Sequence, residues 1–234
     1  MTKPLGGRAY GSIAHLPDSR MGPGDHKITD GQAYIATVKA RKSDVVIVQE
    51  KLDGSNCCVA KINGEIVALT RAGYRAHTSS FQQHHIFDKW VAYQHKRFNS
   101  LLAEGERVCG EWLHTAHGTL YNLPHEPFVV FDILTDKKRL PFAAFMERVK
   151  DNFITPYLVS AGPAVSIATA MEALGERGKH GAVEQIEGAV WRVETDGEVN
   201  FLCKYVRPDK LDGKYLKIGT FFNTYPLTQA KEQA

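Results

Sequence analysis

The sequence predicts an α+β fold of antiparallel sheets with flanking helices, and three observations carry that prediction. Asn63-Gly64 joins two runs rich in apolar and β-branched residues, Cys57 to Ile62 and Glu65 to Thr70. Asp196-Gly197 joins Gly188 to Glu194 with Glu198 to Val206 in the same way. Each pair supplies the positive φ angles of a tight two-residue hairpin. Third, the order of segments is strand-rich, then helical, then strands, helices and a closing hairpin, which does not match a doubly wound parallel sheet.

The elements follow in chain order. Residues 1–44 are rich in glycine, proline and polar groups and read as an irregular entry segment, with a short helix around Gln32 to Ala40. Val45-Val46-Ile47-Val48 is the first clear strand and runs directly into Gln49-Glu50-Lys51-Leu52-Asp53-Gly54. After the first hairpin, Ile86, Phe87, Trp90, Val91, Phe98, Leu101 and Leu102 recur at helical spacing between Phe81 and Ala103, with Gly105 as the stop. Strands are expected over Arg107 to Leu113 and Phe128 to Leu134, and helices near Pro141 to Asn152 and Pro163 to Arg177. The 234 residues suffice for one sizeable core, so a single domain over 1–234 is expected, with 208–234 as a short basic extension.

Composition narrows the classes of function. Hydrophobic residues make up 43% and charged residues 24%, ordinary for a water-exposed globular chain. A formal net charge of only +3 does not announce a nucleic-acid binder, so any electrostatic footprint must be local. No apolar run reaches the ~18 residues of a membrane span, and the amino terminus lacks the apolar stretch of a signal peptide. Cys57, Cys58, Cys109 and Cys203 fit neither a disulfide framework nor a zinc site. Reduced, buried thiols in a cytoplasmic protein without a membrane partner are the expectation.

The sharpest feature is Glu50-Lys51-Leu52-Asp53-Gly54-Ser55-Asn56, in which a strand delivers a lysine to its end and a glycine lets the backbone turn closely. By itself this is an ordinary Asp-Gly turn after a surface lysine. It is followed, in order, by Leu69-Thr70-Arg71-Ala72-Gly73, Cys109-Gly110-Glu111-Trp112 and Phe128-Val129-Val130-Phe131-Asp132-Ile133. Ile186-Glu187-Gly188-Ala189-Val190 and Leu202-Cys203-Lys204-Tyr205 complete the series. The ordered series resembles the motifs of the covalent nucleotidyltransferases: DNA ligases, RNA ligases and mRNA-capping guanylyltransferases. The resemblance implies an ATP-grasp-like ligase adenylation domain.

It also implies a chemistry that suits these residue types. Lys51 is the expected nucleophile toward the α-phosphorus of ATP. A free lysine, with a pKa of about 10.4, is a poor nucleophile while protonated, so metal ions and cationic neighbours are expected to depress it. Glu50 and Asn56 flank the nucleotide; Arg71 and Lys204 are candidates for phosphate contacts; Glu111 is a candidate for the ribose. Phe131 and Val190 suit the two faces of an adenine. Glu187 is the candidate metal carboxylate, with Mg²⁺ expected and Mn²⁺ as the alternative. One departure is plain: many ligases close on Lys-x-Lys, and here the first of those positions is Leu202.

Asn56 points to a branch, because the RNA-ligase-2-like enzymes have asparagine where DNA ligases and capping enzymes usually carry arginine. That branch often has histidine where Asp53 stands. The chain therefore resembles a small ATP-dependent RNA ligase. The implied partner is RNA with 5′-phosphate and 3′-hydroxyl ends, with DNA as the alternative, and a monomer is expected. A minimal DNA ligase, a guanylyltransferase and a non-catalytic RNA-end-binding protein are the competing readings. The short stretch after Arg207 leaves no room for an oligonucleotide-binding barrel, so a catalytic domain alone is expected. Arg207, Lys210, Lys214 and Lys217, interleaved with Tyr205, Tyr215, Phe221 and Phe222, form a candidate surface for a phosphate backbone and bases. His84-His85 and His114-x-x-His117 lack the further ligands of a zinc site. Arg20 to Lys27 reads as a plain turn.

Overall fold

The computed structural model describes residues 2–226. Two five-stranded sheets carry the fold. The first contains β1 (Ala14–His15), β2 (Asp44–Lys51), β8 (Leu158–Gly162), β9 (Gly188–Thr195) and β10 (Glu198–Val206) in the order β1-β10-β9-β2-β8. The second contains β3 (Ser55–Ile62), β4 (Glu65–Thr70), β5 (Glu106–Trp112), β6 (Phe128–Thr135) and β7 (Lys138–Arg139) in the order β4-β3-β5-β6-β7. Every pairing is antiparallel except β1 with β10. The helices are α1 (Asp30–Thr37), α2 (Gln82–Tyr93), α3 (His95–Leu101), α4 (Phe142–Val149), α5 (Ile167–Leu174) and α6 (Lys214–Ile218). None in the described residues is long and apolar enough to cross a membrane.

Strand β2 is the seam of the molecule. Successive side chains of a strand point to opposite faces. Val46 and Val48 accordingly enter a core with Trp191, Leu113 and Tyr121, while Ile47 enters a second core with Phe87, Trp112 and Phe128. Burial on both faces explains its uninterrupted apolar run. At the end of β2 the chain crosses to the second sheet through Leu52-Asp53-Gly54. A Cβ on Gly54 would lie 2.6 Å from the carbonyl oxygen of Trp112, so the glycine is what lets the crossing pass.

The hairpins form as their turn chemistry demands: Asn63 and Gly64 have φ of 50° and 80°, Asp196 and Gly197 of 51° and 77°. Other boundaries move for local reasons. The first helix starts earlier than its apolar spacing suggests, because Thr29 and Gln32 form a capping box around its first turn. The long helix expected over Phe81 to Ala103 breaks at Gln94, which ends α2 and begins α3. The break lets Phe87, Trp90 and Phe98 all reach Phe128, with ring centroids 5.1, 5.7 and 6.2 Å away. The fifth helix ends at Gly175, in the left-handed region at φ 69°. Strand β8, absent from the sequence reading, is a short and largely unburied edge beside β2.

The entry segment is less irregular than expected. It supplies β1 and α1, and it buries Ala9, Tyr10 and Leu16. All four cysteines are buried and free. Residues 227–234 of the expected basic extension lie outside the described residues.

Phe87 sits at the centre of the second core, fully buried against Trp112 and Phe128. Phe87→Ala is expected to cost about 3–5 kcal/mol in chemical denaturation. A loss under about 1 kcal/mol would contradict this packing.

Candidate active site

A cleft of about 910 Å³ opens between the two sheets, and Lys51 stands in it. The antiparallel pairing of β2 with β9 places Lys51 opposite Gly188, which brings Glu187 beside it. Glycine is required at 188, because any Cβ there would strike the Tyr205 carbonyl on β10. Lys51 Nζ donates to Glu187 Oε2 at 2.7 Å. From the second sheet, Glu111 on β5 accepts a hydrogen bond from Gly54 N at 3.0 Å and sits in register with Asn56. The crossing glycine is thus held by the carboxylate that lies next to the lysine.

Phe131 enters from β6 and Val190 from β9, so the two sheets each contribute one apolar wall of the cleft. Tyr10 supports Phe131 edge-on at 5.2 Å. Lys204, from β10, is the register partner of Val190 and shares its face. Arg71, just after β4, lines the cleft and donates to Gly11 O and Ser12 Oγ, both at 3.2 Å. Asn56 also lines the cleft, and its buried Oδ1 has no hydrogen-bond partner among the described residues.

Charge in this site is unbalanced toward carboxylate. Burial works to lower the Lys51 pKa, but the charges of Glu187, Glu111 and Asp53 outweigh it and raise the value. In the free protein, with no metal ion beside it, these carboxylates and not cationic neighbours set the direction of the Lys51 shift. Burial pushes Glu111 up to about 7 against the opposing pull of Lys51. Burial likewise raises Glu187. Lys204 is lowered, first by burial and then by the Lys51 charge. Among the described residues no three histidine, cysteine, aspartate or glutamate side chains form a metal cage. The donor set fits a hard divalent cation bound by one buried carboxylate, Glu187, and completed by ligand and water oxygens.

Four candidates from the sequence are engaged by partners within the fold. Glu50 lines the same cleft, although alternation along the strand sets its side chain on the face opposite to that of Lys51. There Oε2 accepts from Lys179 N at 2.8 Å, and Oε1 has no partner among the described residues. Lys210 is buried rather than solvent-facing: its ammonium pairs with Asp53 and donates to Thr119 Oγ1 at 3.0 Å. Asp53 also accepts from Gly118 N at 2.8 Å, so the pair clamps the crossing segment to the 118–119 loop. Arg207 is structural as well. It pairs with Asp209 and donates through Nε to Ile186 O at 2.8 Å, next to Glu187. Lys214 pairs with Glu184 at 2.6 Å, while Lys217 is exposed. The cleft also recruits Tyr10, Ile13, Tyr74 and Phe81, which no motif marks, and His84, one of a histidine pair set aside as a zinc site.

The model of the family described as RNA ligase matches residues 44–206. The chain belongs to the RNA ligase family. Solved structures agree in fold. Two Naegleria gruberi RNA ligase variants, one with AMP and Mn and one with ATP and Mn, each superpose with a TM-score of 0.52 at 16% identity. Each match covers 91% of this chain, and 62% and 60% of the respective ligase. An archaeal ATP-dependent RNA ligase aligns at 23% identity and a TM-score of 0.49, over 70% of this chain and 43% of its own. This member of the RNA ligase family thus spans less than two thirds of the length of those ligases. An uncharacterized Methanocaldococcus jannaschii protein is 50% identical over 38 residues, 16% of this chain and 10% of that protein.

Burial raises the Glu50 carboxyl from 4.5 to about 7. A carboxyl raised by folding favours the folded state while protonated. That contribution is complete below the unfolded value and is lost as pH climbs through the folded one. Glu50→Gln, neutral at every pH, should therefore flatten the stability decline between about pH 4.5 and 7 in urea titrations. Parallel pH profiles for variant and wild type would contradict the assignment.

Proposed function

We propose that this protein is an ATP-dependent RNA ligase that joins a 5′-phosphate to a 3′-hydroxyl through a lysyl-AMP on Lys51. The observation that carries the reading is the placement of one lysine in a cleft between sheets, with Glu187 at 2.7 Å and Glu111 and Lys204 nearby. Membership in the RNA ligase family supports the substrate class.

In the first step the Lys51 amine attacks the α-phosphorus of ATP. An N–P bond forms as the bond to the bridging oxygen breaks, and pyrophosphate leaves. Phe131 and Val190 hold the adenine between them, Glu111 accepts from the ribose, and Arg71 and Lys204 balance phosphate charge. The buried acceptor of Asn56 takes a donor from the nucleotide or its water. Lys51 must surrender a proton to solvent before it attacks, and the Glu187 carboxylate that holds its ammonium in the free protein is released from that pairing when it turns to a cation. A divalent cation bound by Glu187, Mg²⁺ or Mn²⁺, would supply neutralisation of phosphate oxygens.

In the second step an oxygen of the RNA 5′-phosphate attacks the phosphorus of lysyl-AMP. The N–P bond breaks and the lysine is released, leaving AMP on the RNA end. In the third step a 3′-hydroxyl attacks the 5′-phosphorus, AMP departs, and a phosphodiester remains. Lys217, with the exposed Phe221 and Phe222, is the part of the basic carboxy-terminal cluster left free to meet a strand.

Incubation with α-labelled ATP and Mg²⁺ should label the protein in an acid-labile bond, and Lys51→Ala should abolish the label. Glu187→Gln should slow labelling on the order of a hundredfold, as loss of a charge-stabilising group does. Full labelling of Lys51→Ala would refute the nucleophile. Labelling by GTP in place of ATP would indicate capping, and sealing of nicked DNA but not RNA would indicate a DNA ligase.

A further inference from the structure

The wall that carries Phe131 breaks the regular ladder. Between β5 and β6 the register slips by one residue: Cys109 pairs with Asp132, but Gly110 pairs with Val130. Phe131 is the extra residue of this bulge and has no register partner on β5. A bulge re-aims side chains, so the ladder alone does not fix where its extra residue points. Regular alternation would send Phe131 and its neighbour Asp132 to opposite faces, yet both meet Tyr10.

The Tyr10 side chain is buried and held at several points. Its ring stands edge-on to Phe131, with centroids 5.2 Å apart and planes at 67°. Its hydroxyl donates to Asp132 Oδ2 at 3.1 Å, and it keeps that proton because burial and then the Asp132 charge raise its pKa. Arg139 Nε donates to the same oxygen at 2.8 Å, and its guanidinium lies 5.1 Å from the Tyr10 ring centre. Asp132 Oδ1 accepts from Arg192 Nη1 at 2.9 Å. Arg192 stands two residues after Val190 on β9 and shares its face. The contacts Phe131, Tyr10, Asp132 and Arg192 thus run from one apolar wall of the cleft to the strand that carries the other. The backbone fixes the entry segment as well, because Ala9 N and Tyr10 N donate to Arg71 O at 3.1 and 3.3 Å.

We propose that Tyr10 is a positioning residue that holds the bulged Phe131 ring in the orientation that receives the adenine face of the nucleotide. The proposal rests on the reading of Phe131 as an adenine wall. Tyr10 acts through Phe131 and touches no reacting atom. A base stacked on a wall is held equally before and during phosphoryl transfer, so loss of Tyr10 weakens ATP binding and spares the chemical step.

The test follows single-turnover self-adenylation against ATP concentration. Tyr10→Leu keeps an apolar side chain and removes ring and hydroxyl; Tyr10→Phe keeps the ring edge and removes only the hydroxyl. Tyr10→Leu is expected to raise half-saturating ATP about tenfold, the upper size of one aromatic contact, and to leave the plateau rate within about twofold. Tyr10→Phe should recover part of the loss, with a rise of about threefold. In a Phe131→Ala background neither change should raise half-saturating ATP further, because the ring they position is gone. Full multiplicative losses in that background would overturn the proposal, as would a fall in plateau rate with unchanged half-saturation. Wild-type ATP dependence in Tyr10→Leu would overturn it too. Should Tyr10→Leu fail to fold, Tyr10→Phe decides by the same comparison with and without Phe131. Wild-type half-saturation in Phe131→Ala would remove the adenine-wall reading itself, which separates the two failures.

Discussion

The ion pair between Lys51 and Glu187 is the interaction on which the site depends. Both residues stand where β2 meets β9, and the pair exists because the register sets Lys51 against Gly188. Glycine at 188 lets Tyr205 of β10 approach, and Arg207 grips the backbone on the other side of Glu187. The pair is mostly buried, with 21% of the lysine side chain and 10% of the glutamate side chain exposed. Separating a pair in such surroundings leaves an uncompensated charge. A ligand that enters must therefore replace what each partner loses. Phosphate oxygens can do so for the lysine, and a cation can do so for the glutamate. In the free protein the two partners thus satisfy each other, and a matching ligand is what separates them.

The second sheet answers this geometry through the crossing segment. Leu52-Asp53-Gly54 carries the chain from one sheet to the other, and hydrogen bonds from both sides hold it. Tyr121 OH accepts from Asp53 N at 3.2 Å, Lys210 clamps the Asp53 carboxylate, and Glu111 accepts from Gly54 N. A lysine on a flexible turn would sample many directions; a lysine at a crossing pinned on both sides does not. The aspartate that departs from the histidine of related motifs thus has a structural partner of its own in Lys210.

Much of this was legible in the sequence because it is encoded locally. Asn63-Gly64 and Asp196-Gly197 fix their hairpins through backbone preferences alone. The motif residues Lys51, Arg71, Glu111, Phe131, Glu187, Val190 and Lys204 all line one cleft because each lies within, or immediately beside the end of, a strand of the two sheets. What escaped the sequence depends on partners far along the chain. Lys210 looks like a solvated cation until Asp53 and Thr119, 157 and 91 residues away, are folded against it. Glu50 lines the cleft, yet its carboxylate is taken up by Lys179 N, 129 residues away. His15 and Ser19 sit in a glycine- and proline-rich stretch that docks on β10, a pairing no local pattern announces. The break at Gln94 and the edge strand β8 likewise follow from packing, not from any local signal.

One distance decides whether Lys51 is the nucleophile. A crystal of the protein with ATP and a divalent cation should show the α-phosphorus within attacking reach of Lys51 Nζ, roughly 3–3.5 Å, with the adenine between Phe131 and Val190. A nucleotide seated elsewhere, with the Lys51–Glu187 pair intact, would contradict it.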